Sequence, residues 1–282
     1  MTARERGYIF IVRWPADFDE HARTSALARA LNLDPFAARE ASRRATPVLA
    51  ERTDPAAAAI GVQSLLALGI RALVTTHDEL GSRIDPPRLR ALRPARDAPE
   101  PMYQADVENQ GTIGFKAADL RLLVRARTRV MLREVRSGDA GRLLSARIDP
   151  ITHLPMPESS VIRGKSAKFT ELLDLHLRDG THYRCDASRF SFVDVLESLG
   201  LADIENVDRL AVRLTEQAPA AMVDTAFDHA AWLTGMVGEF MSVKASRGGT
   251  DRRGMLAFSI YSAVVSMVNR FERGRRAAAQ NP

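Results

Sequence analysis

The chain has 282 residues, 45% of them hydrophobic, with 40 Lys plus Arg against 35 Asp plus Glu for a formal charge of +5. This supply of apolar residues excludes disorder throughout and can fill the cores of two ordinary domains; so modest a charge excess argues for a nucleic-acid partner only where it is concentrated. The single Cys185 excludes an internal disulfide framework and a cysteine cluster for zinc or iron–sulfur ligation, which fits a reducing compartment and makes the cytoplasm the expected location.

Met1 to Tyr8 is charged and polar, without the apolar run of a signal peptide. Tyr8 to Trp14 then reads as a strand and Asp17 to Leu31 as a helix with Phe18, Ala22, Leu27 and Leu31 on its apolar side. Pro35 suits the first turn of a second helix through about Ala45, because the N–H it lacks is unpaired there anyway. Val48 to Arg52 reads as a strand, Asp54-Pro55 opens a helix to Leu68, Gly69 caps it, and Ile70 to Thr75 is a third strand. The predicted order over residues 1–80 is β-α-α-β-α-β.

That order, together with Leu33-Asp34-Pro35-Phe36-Ala37-Ala38-Arg39-Glu40-Ala41 and the junction Pro47-Val48-Leu49, resembles the small domain shared by the ClpS protease adaptor and the C-terminal part of the ribosomal stalk protein L7/L12. The resemblance covers roughly the first quarter of the chain. It implies that the second helix docks protein partners, with Arg39 at a basic position of that helix and Arg43 and Arg44 beside it. On composition alone the same three arginines read as the wet side of an amphipathic helix.

Residues 81–105 carry Pro86, Pro87, Pro94, Pro99 and Pro101 among alternating charges, and are expected to form a linker. A second, mostly antiparallel domain is expected over 106–241, beginning with Thr112 to Phe115 and a long strand from Asp119 to Val135. Within that strand Arg125, Arg127, Arg129 and Arg133 share one face, while Leu122, Val124, Ala126, Val130 and Leu132 share the other. Such a face suits acidic protein, nucleic acid or anionic lipid, or is a solvated sheet surface paired with carboxylates on the next strand. Ser137 to Lys168 is rich in Gly, Pro and Ser and reads as a long loop.

The hairpin that follows is specified by its alternation. A three-residue loop, Arg178-Asp179-Gly180, with Gly180 in the left-handed region, pairs Leu177 with Thr181, Leu175 with Tyr183 and Leu173 with Cys185. The opposite face then sets Asp174 across from Arg184 and His176 across from His182. These four residues form a weak polar-site candidate for a metal or for acid–base chemistry, and read more simply as a polar sheet surface. Cys185 points into the apolar face, which does not favour thiolate.

Val193 to Leu199 is expected as a short helix, Asn206 as the cap of a helix carrying Leu210, Val212 and Leu214, and Ala220 to Met241 as a further helical stretch. A curved antiparallel sheet closed by helices resembles the pleckstrin-homology-like architecture. Over 242–282, Ser246 to Thr250 leads into a last helix, Met255 to Phe271, and the basic tail from Arg273 to Pro282 is expected to fray. Leu256, Ile260, Val264, Met267 and Phe271 stripe this helix, and Phe258, Tyr261, Val265 and Val268 broaden the stripe, so it is expected to cover a core, join subunits or lie on lipid.

No phosphate-loop, HExxH, GxSxG or kinase motif occurs. The sequence therefore reads as an α+β chain acting as a cytosolic adaptor or assembly protein of bacterial style, without catalytic residues, cofactor or metal. Its expected partner is a protein with an acidic surface. Anion or nucleic-acid binding, or an enzyme using the histidine–carboxylate set, are the alternatives.

Overall fold

The computed structural model describes residues 6–95, 98–133, 165–230, 232–241, 250–251 and 253–280. The chain is α+β, with predominantly antiparallel strand pairing and a long C-terminal helix. The first unit follows the predicted order: β1 (Gly7–Arg13), α1 (Glu20–Leu31), α2 (Pro35–Arg43), β2 (Val48–Thr53), α3 (Pro55–Ala67), β3 (Arg71–Thr76), then a short α4 (His77–Gly81). Aspartates set the three longer helix starts: Asp19, Asp34 and Asp54 accept from backbone N–H groups of the first turn that have no helical partner. Asn32 closes α1 in the left-handed conformation at φ 52°.

The three strands form an antiparallel sheet in the order β2-β1-β3. Central β1 is buried on both faces. A Cβ on Gly7 would stand 2.9 Å from Ala58 of α3, which fixes that side as the helix-facing one. Tyr8 and Phe10 point the other way, toward Phe240 and Trp232, with ring centroids 6.3 and 5.2 Å apart.

The second sheet is built from β4 (Arg88–Pro94), β5 (Met102–Val107), β6 (Gly111–Lys116), β7 (Leu120–Arg133), β8 (Lys165–Leu177), β9 (His182–Asp186) and β10 (Met222–Asp224), in the order β10-β7-β8-β9-β4-β5-β6. A two-residue β11 (Thr250–Asp251) also pairs β7. The β10–β7 and β9–β4 pairings are parallel and the others antiparallel. One face carries Leu120, Leu123, Leu173, Leu175 and Leu177 and is covered by α5 (Asp203–Gln217) through Val207, Leu210 and Leu214. The other face, with Leu122, Val124, Ala126 and Leu172, packs in one continuous core with the first unit, α6 (Leu233–Met241) and α7 (Arg253–Gln280).

Several expectations are corrected here. The proline-rich stretch over 81–105 holds β4 and most of β5, because Leu89, Ala91 and Leu92 are buried while Arg90 and Arg93 face out. A register shift between Leu89 and Ala91 breaks the period of two that would have exposed the strand in the sequence. Val193 to Leu199 forms turns, not a helix, and Ala220 to Met241 divides into β10, a single helical turn and α6. Asn206 lies inside α5, where its side chain accepts from Gly200 N at 2.7 Å. Strand β8 already begins at Lys165, inside the predicted loop; residues 137–164 and 246–249 of the expected loops lie outside the described residues. Helix α7 runs to Gln280, so its basic end continues the helix.

Candidate functional site

The hairpin forms in the predicted register, with Leu173 opposite Cys185, Asp174 opposite Arg184, Leu175 opposite Tyr183 and His176 opposite His182. Gly180 takes φ 98°, and Leu177 N donates to Thr181 O at 2.9 Å to close the loop. What alternation alone did not reveal is that the polar face is not solvated. Helix α7 covers it, leaving Asp174 fully buried and His176 and Arg184 nearly so.

The covering helix supplies polar groups at matching spacing. Ser259, Ser262, Ser266 and Asn269 stand at i, i+3, i+7 and i+10, one face of α7. Arg184 grips Asp174 with Nε at 2.7 Å and Nη2 at 2.8 Å, and its Nη1 donates to Ser259 Oγ at 2.8 Å. Its guanidinium also lies 4.9 Å from the Phe258 ring centroid. His182 Nε2 is 3.0 Å from Asp174 Oδ2, His176 Nε2 is 2.8 Å from Ser262 Oγ, and the two imidazoles stack at 4.1 Å. Arg121 Nη2 donates to Ser266 Oγ at 2.6 Å.

Burial by itself would raise the Asp174 carboxyl, but the Arg184 guanidinium and His182 outweigh it and hold the group well below the usual carboxylate range. His176 is pushed well below the ordinary histidine value, first by burial and then by His182. Burial raises the Cys185 thiol, in keeping with an unreactive core cysteine.

Candidate ligand atoms of Asp174, His176 and His182 lie within 4.8 Å of one another. Their present bonding does not suit a cation: both Asp174 oxygens are taken by Arg184, whose positive charge would have to be displaced first. The same commitment leaves the carboxylate no free role as a general base. The four residues act as a buried latch that fastens α7 to the sheet.

Of the arginine stripe, Arg125 and Arg127 lie on the opposite, α5-covered face. Arg125 pairs with Asp208 of α5 and lies 3.7 Å from Glu171 of β8; Arg127 reaches Glu171 at 3.3 Å and stacks on Phe169, 4.6 Å from the ring centroid. Burial raises the Glu171 carboxyl, opposed by Arg125 and Arg127. The carboxylate partner on the adjacent strand is thus present, yet Arg127 and Phe169 remain 55% and 53% exposed. Arg129 and Arg133 are within β7, and their side chains lie outside the described residues.

In the first unit, Arg39 and Arg43 both bond Glu20, at 3.4 and 2.7 Å, and Arg44 lies 3.7 Å from Glu40. All three remain exposed. His77, which offered no partner in the sequence, bonds Tyr8 Oη through Nδ1 at 2.9 Å and stacks on Phe240 at 4.1 Å. Tyr8 also donates to Glu239 at 2.8 Å, which pairs with Arg6 and Arg52, so this cluster ties the first unit to α6.

The class that fold and site define is an α+β protein with a polar latch between a sheet and its covering helix. No family model, curated protein or solved structure matches the chain. Helix α7 is long and apolar enough to cross a membrane by length and composition, but 56% of its most apolar window is buried inside the protein. Ile260, Val264 and Phe258 are enclosed by the chain itself, as expected for a core-covering helix.

Proposed function

We propose that the protein is a cytoplasmic adaptor or assembly factor that docks an acidic protein through the α5-side surface around Arg127 and Phe169. The observation that carries this reading is the exposed Arg127–Phe169 stack. Arginine and large aromatic side chains dominate the energetics of protein interfaces, because they join wide apolar contact to directional hydrogen bonding. On the same side of the sheet, Ile204 and Val212 of α5 and Val223 of β10 expose apolar surface around the Arg125–Asp208 pair. Glu171 holds Arg125 and Arg127 in place, and the outer donors of Arg127 stay open to a partner carboxylate.

Nucleic acid is less well served by this surface: among the described residues of the stripe Arg125 is already paired with Asp208, which leaves Arg127 as the exposed cation, too little positive charge to track a phosphate backbone. The stalk-like and ClpS-like element order of the first unit supports a second docking face at α2, where Phe36 is 75% exposed beside Arg39. The test is affinity capture from the native cytosol with wild-type protein, Arg127→Ala and Phe169→Ala. A partner retained by the wild type, lost with either variant and weakened by salt supports the reading. Identical capture by all three, with folding verified, overturns it.

A further inference from the structure

A pocket of about 260 Å³ opens where the segment after α4, the β8–β9 loop and α7 meet. Its wall includes Arg83, Ser266, His176 and Thr181, and it lies on the α7 side of the sheet, away from the proposed docking surface. One guanidinium lines it and two more stand behind its wall. Arg83 lines it directly; Arg121, 4% exposed, reaches its wall at Ser266; and Arg270 lies against the loop, with Nη2 2.7 Å from where a Cβ on Gly180 would stand.

These arginines are incompletely used. The Nε groups of Arg83 and Arg121 are buried without a hydrogen-bond partner. A buried donor without an acceptor is costly, so both guanidiniums hold positive charge near the pocket that the described residues leave partly uncompensated. Ser266 accepts from Arg121, which leaves its own hydroxyl proton to donate. Asp85 is the carboxylate of the pocket lining and stands on its exposed side. Arg121 is lowered to about 10, first by burial and then by Arg270, Arg273 and Arg83, so positive charge accumulates where a bound anion would relieve it.

We infer that this pocket binds the phosphate group of a small soluble phosphomonoester, with Arg83 as its cationic donor, Ser266 as a neutral one, and Arg121 and Arg270 adding positive charge from behind the wall. Tetrahedral dianions match the planar donor fork of arginine, and the positive charge of the nearby Arg121 and Arg270 favours an anion at that fork. Occupancy would join the segment after α4 to α7 and the hairpin, and so stabilise the native state by mass action.

The experiment is calorimetric titration of the full chain with inorganic phosphate and with glycerol phosphate, at constant ionic strength against chloride. Thermal unfolding is followed in parallel. Because Arg121 is buried and its replacement can unfold the protein, the variants are Arg83→Gln and Arg270→Gln at the rim. The expected result is saturable binding and a phosphate-dependent rise in Tm, with each variant weakening affinity by about tenfold or more while its unliganded Tm is unchanged. No saturable binding of either phosphate, or wild-type affinity in either variant, overturns the assignment. Neither result bears on the docking surface across the sheet.

Discussion

Replacing Arg184 by methionine isolates the central bond of the latch. The perturbation removes two charged hydrogen bonds to Asp174, one bond to Ser259 and the contact with the Phe258 ring, while preserving much of the side-chain length. Hydrogen bonds to charged groups contribute about 1.5–3 kcal/mol each. Breaking a buried pair so that one charge is stranded costs about 3–5 kcal/mol. Asp174 is fully buried, so the upper half of that range applies. The double variant Asp174→Leu/Arg184→Met removes both charges, and should recover at least about 2 kcal/mol of the loss, since an apolar pair of similar volume replaces a buried ion pair at little cost. Urea unfolding by circular dichroism measures both. A single variant costing less than about 1 kcal/mol, or a double variant no more stable than the single, refutes the reasoning.

The remaining predictions concern pH, the loop and the core. His176 is held neutral among His182, Asp174, Arg121 and Arg184, whereas the unfolded chain protonates it below about pH 6.5. The native state then binds fewer protons than the unfolded one, so stability should fall with pH below that value, by up to about 1.4 kcal/mol per unit. Denaturant titrations between pH 7 and about 4.5 should show a smaller slope in His176→Gln; an unchanged slope contradicts the assignment. The Asp174 contribution has the same sign, present above its unfolded carboxyl value of about 3.9 and lost only at more acid pH. Gly180→Ala should cost about 1–2 kcal/mol by thermal unfolding, because φ 98° opposes a Cβ and the nearby Arg270 end can move aside. Ile260→Ala should cost about 2–5 kcal/mol, and light scattering should give an unchanged mass, since Ile260 is enclosed by its own chain.

The elements legible in the sequence were those whose period and end signals agree. Asp34-Pro35, Asp54-Pro55 and Gly69 punctuate the first unit, and its six main elements follow. Leu173, Leu175 and Leu177 with Asp179-Gly180 admit one register that keeps the core face apolar, and the chain adopts it. Strand β4 was hidden because its bulge sets Leu89 and Ala91 out of simple alternation between flanking prolines. A bulge near Arg121 likewise turns that arginine toward α7, away from the Arg125–Arg127 face.

The burial of the polar cluster required a long-range match. Strand alternation specified Asp174, His176, His182 and Arg184 on one face, but what covers that face depends on a helix more than 70 residues away in sequence. The available signal was the serine stripe in α7, Ser259, Ser262 and Ser266, recurring among apolar residues on a single helical face. The apolar positions alone, Leu256, Phe258, Ile260, Tyr261, Val264 and Val265, spread around much of the circumference and mask that stripe. Its polar stripe meets the polar sheet face, while its apolar remainder fills the core shared with the first unit.

The docking proposal is tested most directly by placing a photo-crosslinking residue at position 169 in the native host, with position 193, also exposed but on a separate turn, as the control. The account predicts a discrete protein adduct at 169 that is lost when Arg127 is changed to alanine, and none of the same mass at 193. No adduct at 169, or the same adduct from both positions, would contradict it.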